Sequence, residues 1–297
     1  MGKTRSDKTK ALCTATVSAN TPINGKFYLL KLKLAGADAK TFANTVPGQF
    51  IELSVANLST PAEADIPEQL IDKSRRNIIL RRPFSFADVL IKPDFVQLDI
   101  MYAVLGPATL RMTTMKAGEQ ISIIGPLGNG FSIPPRKTTA LLLAGGTGTP
   151  PIHHLAKYIK EHHNNIKTVT FIGAKTACDL PFKLVSDKNS FIATDDGSKG
   201  YNGFVTDCLA QWLEESSPVA SETIIYACGP EAMLAEAAKI ADKTQIDCQV
   251  SLERMMACGI GLCQSCAVKC KAQSSDEEIY KLCCKDGPVF DSREVIW

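Results

Sequence analysis

The hydrophobic residues change rhythm near position 136, and that change constrains the fold more than any other feature of the sequence. From about residue 11 to 135, short stretches such as "KFYLLKLKL", "QFIELSV", "NIILRRPFSF" and "FVQLDIMYAV" alternate apolar and polar side chains. Turn-forming "AGADAK", "TVPGQ" and "KAGE" separate them. A period of two puts one face of each strand in a core and the other in water, so this region reads as an antiparallel sandwich or small β-barrel. From 136 to 246, "TTALLLAGG", "TVTFIGA", "NSFIATDD" and "TIIYACG" are nearly continuous apolar runs. They alternate with the helix-patterned "PPIHHLAKYIKEHHN", "GFVTDCLAQWLEE" and "PEAMLAEAAKIADK". Strands buried on both faces and separated by helices predict a parallel sheet of α/β type. The polar, proline-containing "ANLSTPAEADIPEQLIDKSRR" reads as a surface loop inserted between strands of the first region.

The segment from 247 to 297 has no long apolar period, and some fifty residues bury too little core to stand unaided, so a bound staple is expected there. Six of the eleven cysteines crowd into it: Cys258, Cys263, Cys266, Cys270, Cys283 and Cys284. Cys258-x4-Cys263-x2-Cys266 followed by a distant cysteine is the plant-type spacing for a 2Fe–2S cluster. Gly259 and Gly261 of "CGIGLC" permit a tight loop that leaves backbone N–H groups facing the sulfurs. Zinc is the rival ligand, but its sites usually present two close pairs, and only one C-x2-C pair occurs here. For the fourth position, Cys270 lies too near Cys266 to close the far side, and spacing alone does not choose between Cys283 and Cys284. The scattered Cys13, Cys178, Cys208, Cys228 and Cys248 read by default as small core residues.

A chain of 297 residues has room for two domains, or two and a small appendage. Its net charge of +2 offers no overall field for nucleic acid or an anionic membrane. The start, "MGKTRSDKTK" (1–10), reads as a flexible solvated tail, and no run of 18 apolar residues follows it or occurs elsewhere. A cytoplasmic location is the expectation, and there clustered cysteines bind metal more often than they form disulfides. All four histidines fall on the first helix of the second region, where Ile152, Leu155 and Ile159 mark the buried stripe. Most of the histidines are therefore expected to face solvent rather than a metal.

Several motifs suit phosphate. In "LRRPFSF", Arg82 and Ser85 place a guanidinium and a hydroxyl on a strand end that can grip a diphosphate, the alternative being a surface basic pair. In "YAVLGPATLRM", a strand runs through Gly106, Pro107, Ala108 and Thr109 into a short helix, a ready anion site. Two such sites in one barrel suit a dinucleotide such as FAD. "LLLAGGTGTPPI" carries Gly145, Gly146, Thr147 and Gly148 between a buried strand and a helix. The spacing is not G-x-G-x-x-G, so it signals a nicotinamide dinucleotide without being a Rossmann fingerprint. "YACGP" sets Cys228, Gly229 and Pro230 at a strand's carboxyl end, where doubly wound sheets bind ligands. Asp195 or Asp196 of "TDDG" could accept from ribose hydroxyls, with a plain turn nearly as good a reading.

Taken in order, "RRPFSF", "GPLGNGF", "AGGTGTPP", "TDDGS", "YACGP", "ERMMACGIGLCQSC" and "CKDGPVF" resemble the electron-transfer subunit of type B dihydroorotate dehydrogenase, a ferredoxin-reductase-like family, over residues 10–297. The resemblance implies an FAD-binding β-barrel domain (11–135), an NAD-binding α/β domain (136–246) and a C-terminal 2Fe–2S domain (247–297). It implies that Arg82, Pro83, Phe84 and Ser85, Met101, Tyr102 and Ala103, and Ala108 with Thr109 hold FAD. It assigns Gly145 to Pro151 and Cys228, Gly229 and Pro230 to the nicotinamide nucleotide, Cys228 as the catalytic residue. It assigns Cys258, Cys263, Cys266 and Cys284 to the cluster, because the family's ligand directly precedes "KDGP". Two departures stand out: Ala108 replaces a usual glycine, and residues 57–78 have no counterpart. The activity implied is a relay from NADH through FAD and the cluster to an FMN-containing catalytic subunit in pyrimidine synthesis, in a heterotetramer of two plus two. In that setting the net flow runs from dihydroorotate to NAD+. A bifurcating NADPH:ferredoxin reductase subunit is the alternative, although such relatives often carry Asp in place of Cys258.

Overall fold

The computed structural model describes residues 10–181, 189–272 and 277–297. The expected solvated tail lies outside the described residues except for Lys10.

The first region forms β1 (Ala11–Asn24), β2 (Phe27–Ala35), α1 (Gly36–Phe42), β3 (Phe50–Leu53), α2 (Ile71–Ser74), β4 (Arg82–Ser85), β5 (Asp88–Ile91), β6 (Phe95–Ala103), α3 (Pro107–Met112) and β7 (Gln120–Leu127). Its strands pair antiparallel in the order β4-β3-β7-β1-β2-β6-β5. The alternation in "KFYLLKLKL" is realised in β2: Leu30, Leu32 and Leu34 are sealed inside, whereas Lys33 is exposed. Each of those leucines contributes about 1.5–3 kcal/mol by leaving water, and a one-residue slip would expose all three. Phe42, Ile51, Leu53, Ile100 and Ile123 complete this core. The sheet ends at β4 and β5, so it curls into a half-barrel instead of closing.

Residues 57–78 are not a featureless loop. They form two short 3-10 turns and α2, bury Leu70 and Ile78, and accept a 3.1 Å hydrogen bond from Arg111 of α3 at the Arg76 carbonyl.

The second region forms β8 (Thr139–Gly145), α4 (Thr149–His162), β9 (Lys167–Ala174), β10 (Ser190–Thr194), β11 (Tyr201–Asn202), α5 (Val205–Ser216), β12 (Thr223–Cys228) and α6 (Glu231–Thr244), and β13 (Asp247–Ser251) of the C-terminal segment follows directly. They build a sheet of order β11-β10-β9-β8-β12-β13-β16, parallel throughout except for its last strand, β16 (Val289–Asp291). Leu141, Leu142 and Leu143 of β8 are fully buried on both sides of the sheet, as a continuous apolar run requires. The strand order reverses direction between β8 and β12, so the crevice of this sheet opens above their carboxyl ends.

The C-terminal segment is woven into that sheet. β13 and β16 pair with each other inside it, and β14 (Ala267–Lys271) with β15 (Glu278–Leu282) makes a separate antiparallel hairpin. The two regions also touch directly. Lys26 pairs with Asp179 at 2.9 Å, Lys157 of α4 with Asp88 of β5 at 2.5 Å, and Asn24 donates to the Cys178 and Leu180 carbonyls. His154 is the histidine that departs from a solvent-facing helix. It is 4% exposed where α4 meets β5, and burial pulls its imidazole down to about 4.

Candidate functional site

Where the crevice above β8 and β12 meets the half-barrel, a cleft of about 320 Å³ opens. Pro83, Phe84 and Ser85 of β4 and Met101, Tyr102 and Ala103 of β6 form one wall, closed by Leu105 and Thr109. Thr147, Pro150, Pro151 and Cys228 form the second. Residues that sit in separate motifs along the chain are thus brought to one place. The remaining motif residues stand around it. Arg82, on β4 next to the lining Pro83, donates through Nη1 to the Leu80 and Arg81 carbonyls at 2.9 and 3.0 Å. Its neighbour Arg81 is structural, tied to Ser122 of β7. Ala108 is buried on the core side of α3. Gly145, Gly148, Gly229 and Pro230 form the backing of the second wall, where a Cβ on Gly145 would meet Met233 and Pro230. Gly146 bulges away from it with φ +53°, and a Cβ added there would meet nothing within 4 Å.

Local chemistry separates the side chains that face the cleft from those that build it. Tyr102 donates its hydroxyl to Asn20 at 3.1 Å and stacks on Tyr28, so its side chain belongs to the core and burial pushes its phenol up. Thr109 Oγ1 already accepts from the Leu105 and Gly106 amides at 3.0 and 3.2 Å, capping α3 from within. The Cys228 thiol is 3% exposed and pushed up strongly by burial, with Glu253 adding to the effect. It is therefore a small neutral wall and not a thiolate nucleophile.

The third wall was not expected from the sequence. Ser251, Leu252, Glu253 and Arg254 line the cleft, with Phe50, Met256 and Pro288 beside them. The signal was available: "SLER" leaves the carboxyl end of β13, the parallel strand next to β12. Thr147 donates to Glu253 at 3.2 Å, and Arg254 grips Glu231 of α6 through two contacts of 3.0 and 3.1 Å.

The same segment runs straight into the cysteine loop. Gly259 and Gly261 take φ +67° and +91°, the left-handed turns that "CGIGLC" asks for. The Cys263 amide donates to Cys258 Sγ at 3.4 Å, and the Cys284 amide donates to Cys266 Sγ at 3.4 Å. Two thiol pairs result, Cys258 with Cys263 and Cys266 with Cys284. Cys263 is exposed and its thiol is drawn down to about 6, first by hydrogen bonding with Ser265. Cys284 is buried, which pushes its thiol up to about 12. Cys270 lies apart on β14, sealed in the core. Cys283 turns the other way from Cys284 and donates to the Leu252 carbonyl at 3.3 Å. Asn129 of "GPLGNGF" anchors the "KDGP" run by bonds to Lys285, Asp286 and Gly287.

Glu52 of β3 is a second residue that sequence reasoning missed. It is fully buried, neither carboxyl oxygen has a hydrogen-bond partner, and burial raises it to about 7. Its side chain fills the space beside Gly259, where a Cβ would lie 2.5 Å from Glu52 Cγ.

Among the described residues, no three His, Cys, Asp or Glu side chains are placed to hold a single metal ion. A binuclear iron–sulfur cluster takes two thiolates per iron, and two pairs with backbone amides on their sulfurs fit that demand. The cleft sets apolar Pro83, Phe84, Met101, Pro150, Leu252 and Met256 beside polar Ser85, Thr147, Ser251, Glu253 and Arg254, a lining that fits a ring system with apolar faces and polar edges. No helix among the described residues is long and apolar enough to cross a membrane.

Comparison with known proteins agrees with this geometry. Residues 253–296 match the model of the "iron-sulfur cluster binding domain of dihydroorotate dehydrogenase B", and residues 142–239 match the "oxidoreductase NAD-binding domain". The "dihydroorotate dehydrogenase B (NAD(+)), electron transfer subunit" of Bacillus velezensis is 33% identical, covering 94% of this chain and 97% of that one. The subunit of the same name from Caldanaerobacter subterraneus is 37% identical over 73% of this chain and 81% of its own. Among solved structures, the NADH-dependent reduced ferredoxin-NADP oxidoreductase of flavin-based electron bifurcation superposes with a TM-score of 0.71 at 25% identity, covering 100% of this chain and 92% of that one. A ferredoxin reductase of carbazole 1,9a-dioxygenase, at 21% identity and a TM-score of 0.60, shares the fold over 80% of this chain and 67% of its own. With a third of its residues shared along almost its whole length, the chain belongs to the family of dihydroorotate dehydrogenase B (NAD(+)) electron transfer subunits.

Proposed function

We propose that this chain passes electrons between NAD(H) and the catalytic subunit of a dihydroorotate dehydrogenase, by way of FAD and a 2Fe–2S cluster. One observation carries the reading: Ser251, Leu252, Glu253, Arg254 and Met256 line the cleft, and the thiol loop begins two residues later at Cys258, so both redox sites share one segment. When bound, FAD accepts one hydride, two electrons at once, and releases electrons singly, while the cluster carries one at a time.

The residues divide the work. Arg82 and Ser85 would hold the FAD diphosphate, and Pro83, Phe84, Met101, Tyr102 and Ala103, with Ala108 and Thr109, would complete the FAD site. Gly145, Gly146, Thr147 and Gly148, with Gly229 and Pro230, bring backbone close to the nicotinamide nucleotide. Cys228, a buried neutral thiol on the cleft wall, would serve as the catalytic residue at the nicotinamide end, excluding water there without adding a charge. Cys258, Cys263, Cys266 and Cys284 ligate the cluster. The three working units are 11–135, 136–246 and 247–297. Dihydroorotate chemistry resides on an FMN-containing partner, in a cytoplasmic heterotetramer of two plus two. Exposed Met255 and Leu262, 88% and 77% accessible beside Cys263, give that partner an apolar surface next to the cluster.

The test is an anaerobic preparation of the chain. It should contain FAD, with iron and acid-labile sulfide in equal amounts, and reduce dyes with NADH. It should oxidise dihydroorotate only after the catalytic subunit is added. A colourless protein holding zinc, or dihydroorotate oxidation by the chain alone, would overturn the reading. The full-length likeness to the bifurcating reductase favours a second reading, a subunit of such a complex. Reduction by NADPH with ferredoxin as acceptor would select it.

A further inference from the structure

Cys283 sits next to a cluster cysteine without being paired to one. It is completely buried, and its thiol points away from the loop toward β13. The thiol donates to the carbonyl of Leu252, 3.3 Å away. Leu252 is a wall residue of the cleft, and its own amide donates to the Pro288 carbonyl at 2.9 Å. Both polar groups of this residue are therefore bonded to the "CCKDGP" run. On the other side, the Cys283 amide donates to the Cys266 carbonyl at 3.0 Å, and the Cys284 amide donates to Cys266 Sγ.

We propose that Cys283 is the positioning residue that couples the cleft to the cluster. Its S–H···O=C bond closes a bonded path from the Leu252 carbonyl, through Cys283 and the Cys283–Cys284 peptide bond, to a cluster sulfur. The inference rests on the assignment of the cleft to flavin and of Cys284 to iron. Cys283 is itself neither oxidised nor reduced: one electron leaves reduced flavin and one arrives at ferric iron, and the thiol keeps its proton. Electron transfer between fixed centres is faster through bonded and hydrogen-bonded contact than across a gap, and removing the sulfur opens a gap in the buried wall behind the Leu252 carbonyl.

The experiment uses the whole chain, isolated anaerobically with its cofactors, as wild type, Cys283→Ala and Cys283→Ser. Three quantities are read: iron and sulfide content with the electron paramagnetic resonance spectrum of the reduced cluster, flavin bleaching after mixing with NADH, and the delay between flavin bleaching and cluster reduction in freeze-quenched samples. In Cys283→Ala the cluster should be present with its spectrum retained, and its reduction should lag flavin reduction several-fold more than in wild type. Cys283→Ser, which keeps a donor, should recover most of the speed. A wild-type delay in Cys283→Ala with an intact cluster would overturn the coupling role alone. Loss of iron from Cys283→Ala but not from Cys284→Ala would instead overturn the ligand assignment beneath it.

Discussion

Gly148 lies edge-on against the Cys228 peptide: a Cβ at Gly148 would sit 2.1 Å from the Cys228 carbonyl oxygen and 2.3 Å from its carbon. The backbone of Gly148 is ordinary, with φ −78°, so the constraint is proximity and not conformation. The turn after β8 and the turn after β12 can cross only because one of them lacks a side chain. Gly148→Ala should therefore push the two turns apart at the nicotinamide end of the cleft. The expected outcome is a KM for NADH raised on the order of tenfold, equivalent to about 1.4 kcal/mol, with FAD content unchanged. Steady-state dye reduction together with flavin quantitation checks it.

The two thiol pairs make the cysteines unequal. Cys284→Ala removes the partner of Cys266, so the protein should retain FAD and NADH-driven flavin reduction but lose iron and sulfide. Cys270→Ala leaves both pairs intact and trims a buried side chain on β14, so the cluster should persist with a stability loss of about 1 kcal/mol. Iron analysis and a denaturant midpoint on each variant separate the cases.

The contact between Glu52 and Gly259 is where the half-barrel touches the cysteine loop. Gly259→Ala adds a methyl against Glu52 Cγ and forces φ +67° on a residue with a Cβ, the latter alone costing ~1–2 kcal/mol. Cluster occupancy should fall in Gly259→Ala. Adding Glu52→Ala removes the collision but not the dihedral strain, so the double variant should recover part of the occupancy and not all of it. Full recovery would show that strain is immaterial, and none would show that the contact is.

The junction between α4 and β5 carries a pH dependence. His154 is held at about 4 in the folded protein, against 6.5 in an exposed histidine, with Asp88, His153 and Lys157 as its charged neighbours. Folding thus favours the neutral ring, and its full contribution is present above pH 6.5. The unfolded chain binds the proton first, so stability drains as pH falls from 6.5 toward 4, by about 2 kcal/mol at pH 5. His154→Leu removes that titration. Urea midpoints at pH 7 and 5 should differ more for the wild type than for the variant, and equal differences would refute the assignment.

How far these features were legible differs from residue to residue. The period-two pattern of β2 and the triple leucine of β8 declared their sheets in advance, because burial on one face or on two leaves a local signature. The C-x4-C-x2-C loop with its two glycines was equally local, since the loop closes on itself. His154 was not legible: α4 has a second buried face only because β5 of the other sheet packs there. Glu52 read as an ordinary polar position of an alternating strand, and only the cysteine loop lying over it made it interior.

By itself, then, the sequence determined the main strands of both sheets and the three long helices α4, α5 and α6, though not the short α1 and α2 in segments that read as turn and loop, and it determined where the phosphate-type turns fall and which three thiols share a loop. These depend on neighbours within a few residues, and hydrophobic period and glycine conformation record them directly. Tertiary structure decided the third wall of the cleft, the crossing of Gly148 and Cys228, and the opposite directions of Cys283 and Cys284. Those depend on contacts between residues far apart in the chain, which one-dimensional spacing does not encode and close packing alone resolves.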